Sequence, residues 1–129
     1  MSDAHKLRLQ VIFAGRRMNS LGINKGTSGN ISARVEDGFL ISPTGIAYDL
    51  LKPEHIVRMD WEARYEGDVA PSSEWRFHRD ILMARPELNA VVHTHSTNAT
   101  SVSILGHDIP AIHYMIAGAG GNSVRCAPY

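Results

Sequence analysis

The sequence predicts an α/β fold in which a largely antiparallel central sheet is flanked by helices, and three observations lead there. Apolar residues between Leu7 and Leu21 recur at spacings of three and four, the signature of an amphipathic helix. Ile31–Val35 and Phe39–Ser42 are joined only through Glu36 and the Asp37-Gly38 turn, a connection too short for a crossover, so the two segments pair as an antiparallel hairpin. Further strand-like and helix-like segments then alternate without the glycine fingerprint of a doubly wound nucleotide fold.

The elements follow in order. Ser2 or Asp3 is placed to cap the first helix, whose stripe is Leu7, Val11, Ala14, Met18 and Leu21, and Gly22 ends it. A polar loop, Lys25-Gly26-Thr27-Ser28-Gly29-Asn30, leads into Ile31–Val35, which alternates as a half-buried strand does. After the hairpin, Pro43-Thr44-Gly45 forms a second small-residue loop. A short helical or turn segment around Lys52-Pro53-Glu54 precedes a strand from Ile56 to Met59, and Trp61 to Asp68 is expected to hold one more short strand. Ser72 or Ser73 can cap a helix from about Glu74 to Arg85, with Trp75, His78, Ile81 and Leu82 on one stripe and Pro86 as the stop. Ala90 to His95 reads as a strand, and Ser96 or Thr97 as the cap of a helix that Gly106 closes. Ile109 to Ile116 is apolar, and Val124 to Ala127 is a last candidate strand.

At 129 residues and 43% hydrophobic, residues 1–129 are expected to form a single domain. Thirteen basic residues balance thirteen acidic ones, and the only adjacent basic pair is Arg16-Arg17, so neither a nucleic acid nor an anionic membrane is an expected partner. One cysteine, Cys126, excludes an internal disulfide. No apolar stretch reaches spanning length and the start lacks a signal-peptide core, which makes the cytoplasm the expected compartment.

Chemistry points to His93-Thr94-His95. In an extended chain, residues i and i+2 face the same way about 6.5–7 Å apart, so two imidazoles can reach one metal ion. Glu74 lies in the first turn of its helix, where a carboxylate is favoured anyway, and it is a candidate ligand or general base if that turn faces the histidines. His113 is a candidate third ligand and Tyr114 a candidate proton donor, with packing in the apolar run as the plain alternative for both. His5, His55, His78 and His107 read as surface or packing residues. The loops at Ser28-Gly29-Asn30, Pro43-Thr44-Gly45 and Pro71-Ser72-Ser73 each combine hydroxyl or amide groups with exposable N–H groups, which suits an anion.

Gly29-Asn30-Ile31-Ser32, Ser42-Pro43-Thr44-Gly45, Pro71 to His78, Ala90 to His95 and Ile109 to Ala117, in that order, resemble the class II aldolase/adducin family from about residue 5 to residue 129. The resemblance implies a three-layer α/β/α domain. It also implies a zinc-dependent lyase that cleaves a ketose 1-phosphate to dihydroxyacetone phosphate and an aldehyde. Carried over by motif, His93 and His95 are metal ligands, and Glu74 is the catalytic acid/base that also contacts zinc. Gly29, Asn30, Thr44, Gly45, Ser72 and Ser73 belong to the substrate and phosphate loops. Tyr114 assists proton transfer at the aldehyde oxygen across a subunit boundary, and a homotetramer is implied. Charge left beside a ketone when a carbon–carbon bond breaks can be stabilised by a divalent cation without a lysine Schiff base. Glutamate at position 74 favours aldolases over the family's 4-epimerases. Alternatives within the family are an epimerase, a dehydratase or a noncatalytic adducin-like protein. The family's third zinc histidine comes from a segment beyond Tyr129, so the chain is expected to be incomplete at its C-terminal end.

Overall fold

Helix α1, Asp3–Ser20, forms where apolar residues recur at helical spacing. The computed structural model describes residues 3–118 and 120–128, so Ser2, one of the two expected caps, lies outside the described residues. Asp3 is itself helical and pairs with Lys6 at 3.2 Å. The buried side of α1 is Val11, Ile12, Gly15 and Met18, whereas Leu21, expected on that stripe, is 58% exposed because the helix has already ended. Gly22 takes a left-handed φ of 72° and Ile23 N–H donates back to the Met18 carbonyl at 3.2 Å, the expected glycine closure.

Strands β1 (Asn30–Val35), β2 (Gly38–Ile41), β3 (Val57–Asp60) and β4 (Ala90–His93) form one sheet in the order β3-β2-β1-β4, every pair antiparallel. Pleating sends alternate residues to opposite faces. Ile31, Ala33 and Leu40 pack with Val11, Ile12 and Met18 of α1 and with Tyr48, Leu51 and Ile56. Phe39, Ile41, Val57 and Met59 pack instead with Leu82 of helix α2, Trp75–Ala84. Helix, sheet and helix therefore make three layers. The alternation of β1 suggests a strand half open to water, but Asn30, Ile31, Ser32 and Ala33 are all buried, because α2 roofs the face that carries Asn30 and Ser32. Arg34 continues that polar row: its guanidinium donates to the carbonyls of Leu82 at 2.5 Å and Arg85 at 3.2 Å and its Nε to Leu88 at 2.9 Å, which satisfies the open end of α2.

A single-turn 3-10 helix at Pro53–His55 occupies the predicted turn region, and another, at Tyr48–Leu50, precedes it where none was expected. No strand forms between Trp61 and Asp68. Ala63 at φ 71° and the Arg64 N–H to Asp60 carboxylate bond at 2.8 Å close a tight turn there, leaving only a bridge between Met59 and Tyr65.

A Cβ at Gly15 would sit 2.1 and 2.3 Å from two ring carbons of Tyr48. Gly15→Ala should gain up to about 1 kcal/mol of helix propensity and lose roughly 1–3 kcal/mol to overpacking. A lower melting temperature is expected in a thermal scan, and a higher one would show that the ring moves aside at no cost.

Contacts divide the chain into two compact units, one ending at Thr94 and one beginning at His95. The second holds α3 (Thr97–Ile104), a two-stranded ladder of β5 (Ile109–Pro110) with β6 (Ser123–Val124), and the short α4 (Met115–Gly118). Ser96 stands at the N-cap of α3 without a side-chain capping bond, and Gly106 closes the helix at φ 67°. The run from Ile109 to Ile116 is shorter as strand than its composition suggests. Ile112 is 77% exposed, and Asp108 accepts from Cys126 N–H at 2.7 Å beside the ladder. Among the described residues no helix is long and apolar enough to cross a membrane.

Candidate metal centre

Antiparallel pairing brings the start of β1, the end of β2 and the end of β4 to one margin of the sheet, since Asn30 lies opposite His93 and Ser32 opposite Ile41. Ser42 ties the loops at that margin together. Its Oγ accepts from Ile31 N–H at 3.1 Å, its own N–H donates to the Ile31 carbonyl at 3.0 Å, and its carbonyl accepts from Ser72 N–H at 3.0 Å. Tyr48, buried beneath, donates its hydroxyl to the Gly29 carbonyl at 3.0 Å, and burial raises its pKa so that the phenol stays protonated. Asn24 binds the 24–29 loop from inside through the Ser28 carbonyl at 2.6 Å.

Glu74 occupies the N-cap position of α2, and its N–H bonds to Ser72 Oγ at 3.3 Å, so Ser72 braces the turn two residues before the helix instead of capping it. Asn30 Nδ2 donates to Glu74 Oε2 at 2.7 Å. His93 Nδ1 lies 3.1 Å from the same oxygen and 3.3 Å from Asn30 Oδ1, while its ring stands edge-on to Phe77 with centroids 5.0 Å apart. His95 follows after Thr94 alone. Glu74, His93 and His95 each offer one ligand atom, all within 4.8 Å of one another. Donors on one tetrahedral ion at about 2.0–2.2 Å stand roughly 3.3–3.6 Å apart, so the group needs only a modest contraction. Two imidazole nitrogens and a carboxylate oxygen are donors that zinc accepts, and the residues present fit such an ion.

Behind this group lies His78, fully buried, with Nε2 2.5 Å from Asn30 Oδ1 and Nδ1 2.7 Å from Ser32 Oγ. Expected from sequence to be a surface or packing residue, His78 does pack, stacked on Phe77, and it also carries two polar bonds. Its four-residue spacing from Glu74, which puts both on one helix face, is the signal that could have found it. Burial, with a lesser contribution from nearby His93, lowers its pKa from 6.5 to about 4 against the opposing pull of Glu74. The folded protein thus keeps the ring neutral down to about pH 4, whereas the unfolded chain takes up a proton near 6.5. Stability is full above pH 6.5 and declines as the pH falls through that window, by about 3 kcal/mol in total. Urea unfolding of wild type and His78→Gln at pH 7.5, 5.5 and 4.5 reads the difference, and parallel pH dependence in the two would remove the assignment.

Of the remaining residues singled out in the sequence, Gly29 and Asn30 are buried at the sheet margin, and Ser72 is 6% exposed. Thr44, Gly45 and Ser73 are exposed on the two loops that run side by side through the Pro43–Pro71 bridge. The Thr44 N–H is already donated to the Ala70 carbonyl at 3.2 Å, as the Ser72 N–H is to Ser42. Both of these N–H groups are therefore used within the fold, in pairing the two loops. His113 and Tyr114 belong to the second unit, with ring centroids 4.5 Å apart and Tyr114 81% exposed.

The sequence matches the family described as Class II Aldolase and Adducin N-terminal domain over residues 9–129. It is 54% identical over 127 residues to L-fuculose phosphate aldolase of Escherichia coli (strain K12), covering 98% of this chain and 59% of that protein. It is 51% identical over 123 residues to 5-methylthioribulose-1-phosphate/5-deoxyribulose-1-phosphate aldolase of Rhodospirillum rubrum, covering 95% and 56%. The chain thus spans rather more than half the length of these relatives. A solved structure of L-fuculose 1-phosphate aldolase superposes with a TM-score of 0.87 at 35% identity, over 97% of this chain and 59% of the other. Sequence match and shared architecture agree, and the chain belongs to the class II aldolase and adducin family.

Proposed function

We propose that this chain carries the metal centre and phosphate loops of a zinc-dependent class II aldolase that cleaves a ketose 1-phosphate of the L-fuculose 1-phosphate type into dihydroxyacetone phosphate and an aldehyde. The observation that carries the reading is the grouping of Glu74, His93 and His95 within 4.8 Å at the margin where the three loops gather. The names of the Rhodospirillum rubrum relative and of the matching solved structure add that those proteins act on ketose 1-phosphates. When bound by Glu74, His93 and His95, a zinc ion would polarise the substrate carbonyl and stabilise the negative charge that develops there.

The protein's own groups supply the rest. The hydroxyls of Thr44, Ser72 and Ser73, with the Gly29 and Gly45 backbone and the positive end of α2, hold the phosphate and so fix the reacting carbon beside Glu74. Tyr114, from a neighbouring copy in a homotetramer, takes the proton from the hydroxyl that becomes the aldehyde. The bond to the adjacent carbon breaks and its electron pair stays with the ketone fragment; that carbon takes a proton from Glu74, which enters this step as the neutral acid and leaves it as the carboxylate, while Tyr114 enters as the phenolate and leaves as the phenol, the proton returning from Tyr114 to Glu74 through solvent before the next turnover. A charged phosphate ester as substrate suits the cytoplasm as the working compartment.

The test uses the protein that carries this chain. Purified protein should contain zinc by elemental analysis, and L-fuculose 1-phosphate should yield dihydroxyacetone phosphate, detected by coupled NADH oxidation. Chelation should abolish the activity and added zinc restore it. Absence of both metal and cleavage would favour a noncatalytic, adducin-like role; an epimeric or dehydrated sugar phosphate without dihydroxyacetone phosphate would favour an epimerase or a dehydratase.

A further inference from the structure

We infer that His78 is a positioning residue: braced by Ser32, its imidazole holds the Asn30 carboxamide in the one orientation that serves both Glu74 and His93. The inference rests on the aldolase reading for its purpose, but its geometry stands on buried groups alone.

Glu74, as a carboxylate, only accepts hydrogen bonds, so the Asn30 atom 2.7 Å from Oε2 is the amide nitrogen. The Asn30 oxygen is then the atom that faces His78 and His93. An oxygen of this kind only accepts, hence His78 carries its proton on Nε2 and offers an Nδ1 lone pair, which takes the Ser32 hydroxyl proton at 2.7 Å. By the same logic His93 carries its proton on Nδ1, shared between Asn30 Oδ1 at 3.3 Å and Glu74 Oε2 at 3.1 Å, and its lone pair is on Nε2. Every link has a defined donor and acceptor, running from Ser32 through His78 and Asn30 to Glu74.

Packing alone does not account for an imidazole here. His78 is stacked on Phe77, bonded to Ser32 of the sheet and fully buried, where an apolar side chain would need no hydrogen bonds, whereas a buried ring nitrogen without a partner is costly. Flipping the Asn30 amide would set its NH₂ against the protonated Nε2 of His78 and its oxygen against the Glu74 carboxylate. The single surviving orientation fixes the tautomer of one candidate ligand and the direction of another. Partners of this kind behind metal ligands commonly tune affinity.

Two measurements test it. In metal-free protein labelled with ¹⁵N, ring-nitrogen spectra should show His78 protonated on Nε2 and His93 on Nδ1. The His93 preference should weaken in His78→Phe, which fills the space without a donor and leaves Glu74 as the one remaining group that orients the Asn30 amide, and return in His78→Gln, whose amide nitrogen can replace Nε2. Zinc affinity, by competition with a chromogenic chelator, should fall about ten- to a hundred-fold in His78→Phe and recover largely in His78→Gln, with Ser32→Ala between them. The visible bands of cobalt-substituted protein should shift in the same order. An unchanged His93 tautomer in His78→Phe, or in Ser32→Ala should His78→Phe not fold, would overturn the inference. A wild type that binds no zinc would sink the aldolase reading alone, since the spectra still decide the role of His78.

Discussion

Glu74→Gln is expected to lower turnover about 10²- to 10⁴-fold while the protein stays folded and still takes up zinc. The substitution keeps the shape of the side chain and an oxygen for the Asn30 N–H bond, which is 2.7 Å in the wild type. His93 and His95 remain to hold the ion. What disappears is the carboxylate proposed to exchange a proton with substrate. Because Glu74 stands half-buried at a helix start and not in a core cluster, the folding free energy should change by less than about 1 kcal/mol. Turnover and zinc content measured on the same preparation separate a catalytic loss from a binding loss. Turnover within about three-fold of wild type would refute the proton-transfer role.

Gly29→Ala should be among the most destabilising single-methyl changes in the chain. Gly29 has a φ of 66°, a left-handed conformation that costs an alanine roughly 1–2 kcal/mol. Its added Cβ would also sit 2.6 Å from the His93 carbonyl oxygen and 2.6 Å from the Asn24 amide oxygen. The first of these is backbone and cannot step aside without opening the β1–β4 ladder where Asn30 faces His93. A total of about 2–5 kcal/mol follows, or a melting temperature lower by roughly 10 °C. Zinc affinity should drop as well, because the strained ladder end carries His93. Gly45→Ala is the control: its φ is 71°, but nothing lies within 4 Å of where the added methyl would sit, so only the conformational cost applies. Equal melting temperatures for the two variants would show that the close approach at Gly29 is relieved at little cost.

Local signals carry much of the architecture. Helix α1 with its Gly22 stop, the Asp37-Gly38 hairpin and α2 ending before Pro86 all follow periodicity and turn chemistry, whereas the strand expected from Ala90 to His95 ends already at His93. The strand expected in Trp61–Asp68 does not form: aromatic residues there mimic strand composition, while the Asp60–Arg64 bond and the left-handed Ala63 turn the chain back. Asn30, Ser32 and Arg34 look like the wet side of a strand, and only the roof of α2 reveals them as a polar row sealed by partners. Glu74 and His93 are far apart in sequence, so their proximity is a property of strand order. The bonds of Ser42 are not legible in sequence, because a hydroxyl on a packing face does not betray its partners without coordinates, and His78 shows in sequence only as an imidazole four residues after Glu74.

The sheet is polarised. Its chemical margin gathers Asn30, His93 and the loops bound by Ser42, whereas the hairpin at Asp37 and the charged turn from Trp61 to Glu66 stand at the other margin. Insertions, tags or sequence drift in that distal turn would meet water rather than the reacting groups. A lineage can thus remodel one rim of this scaffold while the opposite rim keeps its trade.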